Sequence, residues 1–144
     1  MPAFSPEHDS YASVRSRSSL LFDTIVAFGS RAAQGHLSPS FQHLHALLRE
    51  RVCNLLVDSS GSKTGGLEAI QALLIHACYG DDAWLLISLA IRLSLTLDLP
   101  NSVGDLLGIV MARKSRGSQE VARRERELFR AARVWCALFN LEQM

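Results

Sequence analysis

Four arginines near the carboxyl end of the chain are the residues best suited to bind a partner. Arg123, Arg126, Arg130 and Arg133 recur at spacings of three, four and three, which places them on one side of a helix. Arginine binds phosphate and carboxylate groups through paired hydrogen bonds. The pattern therefore predicts either a contact with a partner protein, an acidic segment or DNA phosphate, or a solvated face of Glu–Arg pairs.

Nothing in the chain resembles a module that reads DNA bases. Phosphate contacts alone would give salt-sensitive binding without sequence preference. Specific recognition requires an element placed in a groove of the duplex, and the sequence offers neither a recognition helix nor a zinc cluster. We therefore expect any contact with DNA to be indirect.

The histidines raise the question of a metal site. His43 and His45 are two residues apart, so on a helix they point about 200° apart and cannot share one ion. His36 falls in a predicted loop, and His76 falls in a different predicted helix. We predict no metal site and expect these imidazoles to be at the surface or partly buried.

The cysteines predict neither a disulfide framework nor a zinc site. Cys53, Cys78 and Cys136 are far apart and odd in number, and each has apolar neighbours in a helical pattern. We expect buried, reduced thiols of an intracellular protein.

No set of residues predicts catalysis. Cys78 has a nearby base in His76, but the spacing separates the two side chains on a helix. Asp81 and Asp82 stand at a helix start, where the helix dipole explains carboxylates. Residues 58–66 contain a Ser-Lys-Thr run, yet Ser62 precedes Lys63 where a phosphate-binding loop has glycine, so a plain linker is predicted. We predict no catalytic residue and no enzymatic activity.

Length and composition indicate one globular domain. The chain has 144 residues, of which 48% are hydrophobic and 20% charged, with a formal net charge of +1. A net charge this close to zero does not indicate that the chain as a whole binds nucleic acid or a membrane surface. Residues 1–17 contain two prolines and no periodicity, so we predict a flexible amino-terminal arm followed by a helical domain over residues 18–144.

Residues 67–100 are the stretch around which the domain is predicted to form. They predict two helices joined at residues 80–82, the second of them apolar on nearly every side. Such a helix is normally buried in a bundle, and this one is too short to span a membrane and contains Arg92. We expect Arg92 to form an ion pair, with Glu68 as one partner, or to be exposed at an edge.

Capping residues predict where the other helices begin and end. A helix from Leu20 to Gly35 follows the cap at residues 18–19, and Ser38–Pro39 begins another that runs to about Val57. A turn at residues 101–102 and a short irregular helix over residues 104–112 come next. The last helix covers residues 119–141 and should direct Trp135 and Phe139 into the core. The predicted fold is all-α, with about five or six helices.

Two segments carry a resemblance to a known family. Residues 71–74 read Gln-Ala-Leu-Leu, and Trp84 begins the helix that ends in Leu97-Asp98-Leu99. The matched positions are Trp84, Ala90, Arg92, Leu97 and Leu99 in this stretch, and Arg133, Trp135, Leu138, Phe139 and Leu141 in the last helix. This pattern resembles the fungal-specific transcription factor domain, the middle homology region of binuclear zinc-cluster transcription factors. Ser88 and Asp98 stand where the family has glycine, and Cys136 stands where it has a second tryptophan.

The resemblance implies a regulatory domain that acts in RNA polymerase II transcription in the nucleus, through protein–protein contact or ligand sensing. The family's zinc would sit in an amino-terminal cluster that this chain lacks, so no cofactor is expected in it. The family domain also extends further, so a partial member is expected. Its partners would be another protein or the missing parts of a full-length factor, with a homodimer possible and no membrane involved. The alternative is a helical adaptor unrelated to transcription, although no internal repeat supports a solenoid.

Overall fold

The computed structural model describes residues 9–58, 66–80, 83–112 and 119–142. These residues form seven α-helices and no strand, which confirms the all-α class. The helices are α1 (Tyr11–Arg17), α2 (Ser19–Gln34), α3 (Pro39–Asp58), α4 (Leu67–Tyr79), α5 (Ala83–Thr96), α6 (Leu99–Ala112) and α7 (Gln119–Glu142). The predicted number was too low because α1 was not expected.

Helix α1 lies where the sequence predicted a flexible arm. The Ser10 side chain caps it by accepting a hydrogen bond from the backbone N–H of Ser13, and Val14 is buried. The Tyr11 ring meets the Phe22 ring of α2 edge to face, with centroids 5.1 Å apart. The prediction of a flexible arm is therefore wrong from Tyr11 onward. Helix α1 has only seven residues and one buried side chain, so the sequence shows no periodic pattern of apolar residues there. Residues 1–8 lie outside the described part of the chain.

Local capping sets the ends of α2 and the start of α3, as predicted. The Ser18 side chain accepts a hydrogen bond from the Leu21 N–H at 3.2 Å, and the Ser38 side chain does the same for the Phe41 N–H at 3.2 Å. Gly35 follows α2 with a φ of 87°, a conformation that favours glycine. The predicted linker over residues 58–66 lies mostly outside the described residues, apart from Asp58 in α3 and Gly66 before α4.

Helix α4 is the central element of the fold. Nine consecutive residues, from Ala69 to Ala77, are buried. Its Ile70, Leu73 and Leu74 belong to one apolar cluster, which we call the carboxyl-terminal cluster and which also contains residues of α3, α5, α6 and α7. Its Ala72 and Ile75 belong to a second, amino-terminal cluster formed with α1, α2 and α3. One helix therefore supplies both parts of the core.

Helix α5 is packed on one side only. Leu86, Leu89 and Ala90 are buried in the carboxyl-terminal cluster, whereas the Trp84 side of the helix faces solvent. The prediction that α5 is buried all round is wrong, and α4 is the buried helix instead. An apolar composition on every side does not indicate which side the neighbouring helices cover.

Helix α6 begins at Leu99, five residues before the start at residue 104 that the sequence predicted. Residues 101–102, predicted as a turn, lie inside the helix, and Pro100 is accommodated in its first turn, where its missing N–H costs nothing. Asp98, with a φ of 58°, separates α5 from α6 and accepts a hydrogen bond from the Asn101 side chain at 2.8 Å.

Within the described residues no single helix is long and apolar enough to cross a membrane. Helix α5 together with residues 99–109 meets the criteria of length and composition only as a pair of helices bent by 52°.

Helix α7 has the predicted length but is rotated relative to the prediction. Val134 and Leu138 are fully buried, with partly buried Ala131 and Leu141 on the same side. Trp135 is half-buried against the core, and Phe139 is 51% exposed, so the prediction that Phe139 enters the core is wrong. The buried positions, Val134 and Leu138, each precede by one residue the aromatic positions, Trp135 and Phe139, that were predicted to face the core.

Candidate functional site

The four arginines of α7 do not form one outer face. Arg123 and Arg126 are exposed, and Arg123 lies 3.7 Å from Glu127 in an exposed ion pair. Arg130 and Arg133 are half-buried. The rotation of α7 explains this difference, because it brings Arg130 towards α4. The predicted basic face is therefore divided into an exposed amino-terminal half and a half-buried carboxyl-terminal half, and its contact with a partner stays a prediction.

Arg130 takes part in an ion-pair network that joins three helices. Its Nη2 atom lies 3.0 Å from Oε1 of Glu68 on α4, and Nε of Arg17 on α1 lies 3.9 Å from the same oxygen. The Glu68 and Arg130 side chains are about one-fifth exposed, at 21% and 22%. Glu68 was predicted as a partner for Arg92, but Arg92 is exposed at an edge, which was the second expectation. Arg130 is thus a structural residue.

The outer side of α5 exposes several large apolar side chains. Trp84, Leu85 and Leu95 are 74%, 44% and 59% exposed, and we call these three residues the α5 stripe. At helical spacing Ser88 and Arg92 lie on the same side. Single exposed apolar residues are ordinary. A run of them along one helix is instead typical of a surface that contacts another protein.

Helix α6, which packs next to α5 and α7, also exposes apolar side chains. Leu107 and Met111, one helical turn apart, are both exposed. A Cβ atom placed on Gly104 or Gly108 would meet nothing within 4 Å. The two glycines therefore leave open space beside α6.

Sequence reasoning missed a pair of histidines. Nε2 of His45 on α3 lies 3.1 Å from Nε2 of His76 on α4, and His76 is only 6% exposed. Phe28 contacts both imidazole rings, and Phe41 stacks on His45. No local pattern could indicate this pair, because the two residues are 31 positions apart on different helices. Among the described residues no group of three or more candidate metal ligands occurs.

Loss of the contact between these two rings is expected to destabilise the fold. One imidazole donates a hydrogen bond and the other accepts it, which joins α3 to α4. His45→Ala removes this hydrogen bond, and the expected loss in the free energy of unfolding is about 1 kcal/mol. Urea unfolding measures it.

His36→Ala is the control for this prediction. It changes an exposed histidine outside the pair and should change stability by less than about 0.5 kcal/mol. A His45→Ala variant as stable as the wild type would contradict the assignment.

The cysteines are exposed, contrary to the prediction of buried thiols. Cys53, Cys78 and Cys136 all lie at the surface. Apolar neighbours in the sequence indicated burial, but each cysteine falls on the outer side of its helix. Partial burial nevertheless raises the pKa of the Cys78 thiol, which makes it a weaker nucleophile at neutral pH.

Of the α5-region residues that match the family pattern, some lie in the core and others lie at the surface. Ala90 and Leu99 are buried, whereas Trp84, Arg92 and Leu97 are exposed. No family model, curated protein or solved structure matches this chain.

Proposed function

We propose that this chain is a helical regulatory domain of the fungal transcription factor type, which acts in RNA polymerase II transcription in the nucleus through protein contact. The observation that carries this proposal is the α5 stripe, which includes a tryptophan that is 74% exposed. The proposal includes no catalysis, no cofactor in this chain and no DNA contact of its own.

The position of the matched residues supports a contact function. The core of this bundle requires Leu86, Leu89 and Ala90 from α5, and it makes little use of Trp84 or Arg92. These two residues nevertheless match the family's pattern at the right spacing. Side chains that follow a pattern without serving the core are best explained by a contact outside it.

The occupant that fits this surface is a helix of a partner protein. The α5 stripe offers apolar side chains along several turns, to which a second apolar helix face is complementary. Arg92 lies beside the stripe and has no carboxylate within 4 Å in the described part of the chain. An acidic side chain on the flank of the partner helix would pair with it, which adds specificity to apolar packing.

A reporter experiment tests the proposal. The full chain is fused to a heterologous DNA-binding domain and placed upstream of a reporter gene in a fungal cell. The wild-type fusion should change transcription relative to the DNA-binding domain alone. The double variant Trp84→Ala and Leu95→Ala should lose that effect, because truncation of a central aromatic contact weakens an interface by about 2 kcal/mol or more.

The matched control is Leu37→Ala, which removes an equally exposed leucine, at 73%, from the connection between α2 and α3. It should keep the effect of the wild type. A wild-type fusion without influence on the reporter, or equal loss in the control, would refute the proposal. If the chain binds a partner through the α5 stripe but has no effect on the reporter, the alternative function, a helical adaptor, is supported instead. Light scattering on the purified chain identifies the case in which the partner is a second copy.

A further inference from the structure

A cavity of about 570 Å³ lies between α2, α3 and the end of α4. Six of its lining residues are Arg31, His36, Phe41, Gln42, His45 and Arg49. Cavities of about 300–1,000 Å³ are the size that holds small organic ligands. None of these residues belongs to the α5 stripe, so a role for the cavity is independent of the proposed function.

The ionisable groups among the described lining residues of this cavity are all basic. Arg31 and Arg49 supply two permanent cations, and His36 and His45 supply two imidazoles. No carboxylate occurs among the described lining residues. Elsewhere in the bundle arginines pair with acids, as Arg17, Arg51 and Arg130 do. In the described residues neither Arg31 nor Arg49 has such an ion pair, so their charge is available to a ligand.

Contacts behind the cavity hold two of these basic groups in place. The Arg31 guanidinium donates a hydrogen bond to the Tyr79 carbonyl and lies 5.6 Å from the centre of the Phe41 ring. The His45 ring stacks on Phe41 at 5.2 Å and meets His76 at 3.1 Å. Side chains fixed before binding lose little conformational entropy when the ligand arrives. The wall of the cavity is therefore organised in advance.

We infer that this cavity binds a small organic anion through a carboxylate or phosphate group. Arg49, which is exposed at the cavity, contacts the anionic group directly, while Arg31 and His45 form the fixed basic wall behind it. Guanidinium groups suit both kinds of anion because their paired N–H donors match two oxygens at once.

Calorimetric titration of the full chain with inorganic phosphate and, separately, with citrate tests the inference at low ionic strength. The wild type should bind at least one of the two probes. Arg49→Gln should weaken that binding about tenfold or more, as expected for the loss of a hydrogen bond between charged groups. The variant should remain folded, because Arg49 is exposed, and circular dichroism checks this.

Arg124→Gln is the control, because it removes an exposed arginine of α7 and the same formal charge. It should change the affinity less than about twofold, since exposed charges far from a site are screened. Binding of phosphate alone assigns a phosphate-bearing ligand, and binding of citrate alone assigns a carboxylate. No binding of either probe overturns the inference. Equal weakening by the two variants also overturns it, because attraction to the net charge would then explain the binding.

Discussion

Replacement of Leu73 with alanine is expected to lower the free energy of unfolding by about 2–5 kcal/mol. Leu73 is 0% exposed and lies on α4, within the carboxyl-terminal cluster. The substitution loses the transfer free energy of the removed atoms and leaves a cavity that the closely packed neighbours fill only in part. Urea unfolding followed by circular dichroism measures the change.

This loss is a large part of the stability that a domain of this size normally has, about 5–15 kcal/mol. Leu37→Ala is the matched control, because it deletes the same atoms from a side chain that is 73% exposed. It should change stability by less than about 0.5 kcal/mol. If the two variants lost similar amounts, Leu73 could not occupy the core position described for α4.

The substitution Glu68→Gln is expected to cost about 2 kcal/mol. Glu68 lies between Arg130 of α7 and Arg17 of α1, at 3.0 and 3.9 Å. The neutral amide leaves the half-buried Arg130 without its carboxylate, and a charge that loses its partner in such a place destabilises the fold. Thermal or urea unfolding measures the loss of stability. High salt should reduce this loss less than it reduces the loss from breaking an exposed ion pair.

A double-mutant cycle with Arg130→Gln isolates the pair itself. The two single substitutions should cost more in sum than the double substitution, because each one removes the same interaction. Glu127→Gln provides the comparison, since the Arg123–Glu127 pair is 75% and 65% exposed and should contribute less than about 0.5 kcal/mol. Strictly additive losses for Glu68 and Arg130 would show that the two side chains do not interact.

Helix ends were predictable where the chemistry that sets them is local. Ser18 and Ser38 cap the helices that follow them, Pro39 fits the first helical position, and Gly35 has the positive φ that favours glycine after α2. Each of these signals acts over three or four residues, so the sequence contains it directly. The all-α class followed for the same reason. Helix α1 was missed because only its cap, Ser10, carries such a signal, and a single serine is common.

The faces that the helices bury were less predictable, because they depend on neighbours distant in the sequence. Trp84 and Phe139 are large apolar residues at helical spacing, yet both are exposed, and Gln71 is fully buried. The candidate sites depend on long-range contacts in the same way. His45 meets His76, and Arg130 meets Glu68, across separations of 31 and 62 residues. Spacing along one helix could not reveal either pair.

The shared position of α4 has a consequence for how the chain folds. Both apolar clusters take side chains from this one helix, Leu73 on one side and Ile75 on the other. Because α4 packs into both halves of the bundle, we expect the two halves to melt together as one cooperative unit. We expect the same shared packing to let a ligand bound beside α2 and α3 stabilise α5 through α4.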